Sequence, residues 1–195
     1  MNRKAELERR TRETAIRVSL DLESAGPPQV STGIAFFDHM LTLFAVHGFL
    51  DMTLHAQGDL EVDSHHTVED VGIVLGEALQ TALGDRHGIR RYGHAVTPMD
   101  EALAEVAVDL SRRPYLVFQL PACEGMDHTF NRGLAKEFFR ALANHVGMNL
   151  HIIVPYGENE HHILEAVFKS CGRALRQAVS VDERISGVRS SKGML

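Results

Sequence analysis

The segment His65-His66-Thr67-Val68-Glu69 recurs, chemically, as His161-His162-Ile163-Leu164-Glu165. Each copy follows a strand-like stretch and a glycine-containing turn, and each opens a long run with apolar residues at helical spacing. Two such motifs at equivalent points restrict the fold strongly, because they imply duplication of one strand–turn–helix unit. The flanking periodicity agrees. In the first half it predicts a strand over residues 15–22, a helix over 34–46 ended by Gly48, a strand over 51–56, and a helix capped by Ser64 that runs to about residue 83. In the second it predicts strands over 102–110 and 115–120, a helix over 133–146 ended by Gly147, a strand over 149–154, and a helix over 160–179. The expected class is α/β (α+β), a duplicated small α/β unit. The chain reads as one domain, 1–195, in two halves of about 9–90 and 91–195.

The motif is suited to metal binding. On a helix, residues three or four apart share a face, while neighbours diverge by roughly 100°. Glu69 therefore lies near both His65 and His66, whose rings point apart. One unit can offer an imidazole to one ion and its other imidazole, or its carboxylate, to a second. Two units can build a two-metal site. Nitrogen and oxygen donors without thiolate suit zinc, manganese or iron, and six ligands exceed what one tetrahedral zinc takes. A single copy could equally be a helix N-terminus, with Ser64 as cap and Glu69-Asp70 at the positive end of the dipole. Two copies in register argue against that. The order is not His-Glu-x-x-His, so the metalloprotease pattern does not apply. No glycine-rich phosphate loop or serine elbow is present.

Composition excludes other classes. A net charge of -6 argues against general nucleic-acid binding. With 44% hydrophobic and 24% charged residues the chain is an ordinary globular one. Cys123 and Cys171 have no metal or redox spacing, as in a reducing cytosol. The N-terminal segment is charged throughout and lacks the apolar core of a signal peptide. No apolar run approaches the ~20 residues of a membrane span. The expected location is cytoplasmic, without membrane association.

Further landmarks accompany the motifs. They include Phe36-Phe37-Asp38-His39-Met40, Gly58-Asp59-Leu60, Arg91-Tyr92-Gly93, Pro98-Met99-Asp100-Glu101-Ala102-Leu103, Ser111-Arg112-Arg113-Pro114 and Ser190-Ser191-Lys192-Gly193. In this order, over nearly the whole chain, they resemble the imidazoleglycerol-phosphate dehydratase family, lyases of histidine biosynthesis. The resemblance implies that each half is a four-stranded sheet with helices on one face. It also implies a homo-oligomer of 24 subunits built from trimers, with two Mn(2+) in each active site between subunits and the substrate's imidazole ring bridging them. The product would be imidazole acetol phosphate.

Carried over by position, the metal ligands are His39, His65, His66, Glu69, His161, His162 and Glu165. Glu137 is the eighth, where relatives carry histidine or glutamate. His145 or His151 is the alternative. Arg91, Arg113, Ser190, Ser191 and Lys192 resemble phosphate-binding residues, a role their forks and point charges suit. Relatives usually have proline where this chain has Arg189. Glu13 resembles an active-site glutamate that contacts substrate and moves protons. It shares the catalytic role with His39, His65, Glu69 and Glu165. The rival reading is a dinuclear metal-dependent phosphoesterase, which the same ligands could serve.

Overall fold

The computed structural model describes residues 3–123 and 129–193. The first half runs β1 (Lys4–Arg10), β2 (Thr14–Asp21), β3 (Gln29–Ser31), α1 (Ala35–Gly48), β4 (Asp51–Gly58) and α2 (His65–Leu83). The second runs β5 (Tyr92–Met99), β6 (Ala102–Asp109), β7 (Tyr115–Gln119), α3 (Arg132–Val146), β8 (Asn149–Tyr156) and α4 (Glu160–Val179). The sheets share one topology, β1-β2-β4-β3 and β5-β6-β8-β7. In each, the last strand runs parallel to its neighbour and the other pairs are antiparallel. The duplicated motif thus marks a duplicated fold.

Three strands escape the periodicity. β1 is mostly charged: Ala5, Leu7 and Arg9, which is ion-paired with Asp70 of α2, face inward, and its remaining side chains are Lys, Glu and Arg on an edge strand. Charge on an edge discourages pairing with other chains. This strand also carries the first half's sheet back to Lys4. β5 buries Gly93, Ala95 and Thr97, residues too small to give a hydrophobic signal. Gly93 is required there, since a Cβ would come within 1.9 Å of the Ala174 carbonyl oxygen. β3 is only three residues long.

Two helix ends also differ from expectation. Ser64 makes no capping bond; Asp63 Oδ1 accepts from the His65 amide at 2.7 Å instead. α1 continues through Gly48 and ends at Phe49, which takes the left-handed conformation at φ 50°. A Cβ on Gly48 would sit 3.2 Å from the Leu50 side chain and in ordinary contact, at 3.4 Å, with Gly172 Cα of α4. At α3 the expected end holds, with Gly147 left-handed at φ 70°.

The long helices lie on their own sheets, α2 on β1, β2 and β4, and α4 on β5, β6 and β8. Each also pairs with the short helix of the other half: α1 with α4, α2 with α3. One core therefore runs through both halves. Phe37 stacks on Phe130 at 4.7 Å between centroids, and Phe138 on Phe168 at 5.6 Å. Each buried Phe contributes about 1.5–3 kcal/mol, so the halves gain more from contact than from separation. Among the described residues no helix is long and apolar enough to cross a membrane.

Glycines set how closely the helix pairs approach. A Cβ on Gly172 would meet Phe44 O at 2.3 Å and Gly48 N at 2.9 Å. These are backbone atoms, which cannot swing aside as a side chain can. Gly172→Ala should therefore lower stability by about 1–3 kcal/mol, the usual cost of overpacking. Urea unfolding measures this, and an unchanged midpoint would show that α1 and α4 do not pack so closely.

Candidate metal centre and anion cleft

α4 begins with Asn159, whose side chain accepts from the His161 amide at 2.9 Å and fixes the first turn. That turn sets His161 Nε2 2.9 Å from Glu165 Oε1. α1, packed against α4, brings His39 Nε2 to 3.0 Å from the same oxygen. The donor atoms of His39, His161 and Glu165 all lie within 4.8 Å of one another. Lys169, one turn further on, donates to Glu165 Oε2 at 2.5 Å. Burial opposes ionisation of Glu165, but the hydrogen bonds from Lys169, His39 and His161 outweigh it and hold the carboxyl at about 2. It is a carboxylate at neutral pH, a hard anionic donor beside two imidazoles.

The first copy is more open. His65 Nε2 stands 3.5 Å from Glu69 Oε2, and the Glu69 side chain is 40% exposed against 9% for Glu165. What His39 provides on α1 must come to this copy from α3. On Gly76, which stands to Glu69 as Gly172 does to Glu165, a Cβ would meet Leu142 O and Val146 N. Leu142 and Val146 follow Phe44 and Gly48 by the same displacement, 98 residues, that separates Glu137 from His39. Glu137 is therefore the counterpart of His39, although here it is ion-paired with Arg140 on its own helix. Neither alternative holds that equivalent position. His145 Nδ1 bonds the Ala141 carbonyl at 2.9 Å, and His151 is an exposed β8 residue beside the Tyr115 ring.

The second histidine of each motif is oriented through Nδ1. His66 Nδ1 donates to Asp59 at 3.0 Å, and His162 Nδ1 donates to Glu101 at 2.7 Å. A carboxylate on Nδ1 fixes the ring and leaves Nε2 for a cation, the usual outer support of a metal-bound imidazole. The Asp59 bond raises the His66 pKa above its ordinary value. Glu101 also accepts from the Asn159 and Glu158 amides at 2.9 and 3.2 Å. The Asn159 amide and His162 hold its carboxyl at about 2. In sequence Asp59 and Glu101 read only as parts of landmarks, with no role toward the histidines.

Glu13 sits just before β2, as Glu101 sits just before β6. Its turn is held by Thr11 Oγ1, which accepts from the amides of Glu13 at 3.1 Å and Thr14 at 2.9 Å. Asp59 N donates to the Glu13 carbonyl at 3.1 Å. Because Asp59 takes the role toward His66 that Glu101 takes toward His162, the Glu13 carboxylate stays 3.9 Å from His66 and 54% exposed. It is left open to a ligand.

Arg91, Arg113, Ser190, Ser191 and Lys192 line a single cleft of about 780 Å³. Ser111, Arg112 and Arg189, absent from the expected set, join them. Arg91 also has a structural role there. Its Nε and Nη2 donate to Asp109 at 2.7 and 3.1 Å, and its Nη1 donates to the Arg189 carbonyl at 2.7 Å. Its charge is paired with Asp109 and three of its five N–H donors are used, so it holds the C-terminal segment and keeps donors for an anion in the cleft it lines. Arg112, Arg113, Arg189 and Lys192 supply the cleft's positive charge. None of the motif residues lines this cleft, so the two donor sets and the cleft lie apart on one chain.

The imidazoleglycerol-phosphate dehydratase family profile matches residues 32–175. The chain belongs to that family. Imidazoleglycerol-phosphate dehydratase from Desulfosudis oleivorans is 58% identical over 195 residues, covering 100% of both chains. That from Syntrophobacter fumaroxidans is 56% identical over 193 residues, 99% of this chain and 98% of its own. The solved enzyme from Staphylococcus aureus subsp. aureus N315 superposes with a TM-score of 0.82 at 38% identity, covering 92% of this chain and 99% of that one. The Pyrococcus furiosus structure, a complex with (S)-C348, gives 0.85 at 40% identity over 97% and 100%. Dehydratases of this family are hydro-lyases, and the two-sheet architecture described above is theirs.

Proposed function

We propose that the chain dehydrates imidazoleglycerol phosphate to imidazole acetol phosphate in histidine biosynthesis, using two manganese ions per active site. The observation that carries the metal reading is the trio of His39, His161 and Glu165, drawn from two helices onto one point. Its donor set of two imidazoles and one ionised carboxylate fits a borderline divalent ion. His39, His161 and Glu165 would hold one side of the site with His162 beside them. His65, His66, Glu69 and Glu137 would hold the other. Bound there, the metals would act as Lewis acids and as a template for the imidazole ring.

The reaction removes a carbon-bound proton from C2 and the hydroxyl from C3, and the resulting enol becomes the ketone. Glu13, open to solvent and fixed at its backbone, would move a proton at the reacting carbons. Asp59 and Glu101 fix the second histidines through Nδ1, which would leave Nε2 of each for an ion. Arg91, Arg113, Lys192, Ser190 and Ser191 would bind the phosphate, with Arg91 held in place by Asp109. Because the two ligand sets and the cleft lie apart on one chain, a complete site requires neighbouring subunits. The assembly proposed is a homo-oligomer of 24 subunits built from trimers, working in the cytoplasm.

Stripping the protein with a chelator should abolish formation of imidazole acetol phosphate, and manganese should restore it without release of inorganic phosphate. Stoichiometric phosphate release would instead establish the phosphoesterase.

A further inference from the structure

Arg86 is 1% exposed and sits at φ 64°, a left-handed conformation unusual for a non-glycine residue. Its guanidinium reaches the C-terminal end of α3, where Nη2 donates to the Val146 carbonyl and Nη1 to the Gly147 carbonyl at 3.1 Å. Its Nε is buried without a hydrogen-bond partner among the described residues. The partners are carbonyl dipoles, and Arg86 forms no ion pair among the described residues. A guanidinium at a helix C-terminus suits the dipole. Burial, with a smaller contribution from Arg112, lowers its pKa to about 10, so it stays cationic at neutral pH.

The contacts of Arg86 lead to the cleft. Gly147 packs so closely on the next turn that a Cβ would lie 3.1 Å from Arg112 Cα. Arg112 is itself left-handed at φ 60° and donates back to the Gly84 carbonyl at 3.2 Å. Arg113 follows it directly into the cleft. The nearest charges felt by Arg86 are those of Arg112, Asp109 and Arg91, and Asp109 is already spent on Arg91.

We propose that Arg86 is a positioning residue of the anion cleft. From behind the wall it locks the Arg112–Arg113 turn through the end of α3 and adds a fixed, unpaired positive charge to the anion's surroundings. This rests on the reading of the cleft as the phosphate site. A buried charge acts through protein rather than water, so it is felt by an anion it does not touch.

Inorganic phosphate, titrated calorimetrically into manganese-loaded protein, tests this. Arg86→Gln keeps donors for the carbonyls but removes the charge, and should weaken phosphate by about tenfold. Arg86→Lys keeps the charge and should stay within about threefold of the parent. Thermal unfolding of both variants shows how much stability each loses, and the titrations are run well below the midpoints. Parent-like affinity in Arg86→Gln overturns the proposal. So does equal weakening in both variants, which is what a purely structural residue would give. If Arg86→Gln does not fold, Arg86→Lys decides: retained affinity supports the role and a larger loss overturns it. Arg113→Gln is the control for the cleft. If it leaves phosphate binding intact, the cleft reading fails; if it weakens binding while Arg86→Gln does not, only the Arg86 role fails.

Discussion

His161→Ala should lose turnover by at least on the order of a thousandfold, the scale of several kcal/mol expected when a Lewis-acid site is broken. The imidazole it removes is one of three donors that converge within 4.8 Å. Without it, His39 and Glu165 remain, with Lys169 still bonded to the carboxylate. Two donors, one of them shared with an ammonium group, bind a divalent ion poorly. The loss should therefore show in metal content as well as in rate. Elemental analysis of the purified variant after dialysis reads the first, and product formation at saturating substrate the second. Retention of both metal and activity would remove His161 from the centre. The fold should survive, since His161 is half-buried at the start of α4 and outside the core.

Glu13→Gln should separate chemistry from metal binding. The substitution preserves shape and the backbone contacts to Thr11 and Asp59, which involve amides and a carbonyl. Metal content and assembly should be unchanged. Turnover should fall by about a hundred- to ten-thousand-fold, the range for loss of a positioned acid–base group, with a smaller change in KM. Full turnover in the variant would assign the proton transfer to another residue. Glu101→Gln offers a useful contrast: the equivalent residue of the second half is bonded to His162 and two amides, so its loss should be felt in metal binding.

How much of this was legible in the sequence depended on the range of the interaction. The His-His-x-x-Glu spacing is local geometry, and His161 and Glu165 meet one helical turn apart as the spacing requires. His39 lies 126 residues from Glu165, and periodicity alone offers no reason to join them. That pairing follows from α1 packing on the other half's long helix, and only the family resemblance pointed to it. Asp59, Glu101, Lys169 and Asp109 were hidden for a similar reason. Each acts on a functional side chain through the folded structure, and a lone carboxylate or lysine in sequence is usually a solvated charge. Arg91 was legible through the resemblance, but its ion pair with Asp109 was not, because that pair forms across the β5–β6 hairpin. The fold class followed from the repeat, whereas β1 and β5 did not, because one is charged and the other turns its smallest residues inward.

The central claim is that both copies of the motif build one kind of two-metal site. The direct measurement is the manganese content of reconstituted, extensively dialysed protein, determined together with protein concentration. Two manganese ions per chain are expected, in material that forms imidazole acetol phosphate. One ion or none per chain in fully active protein would contradict the claim.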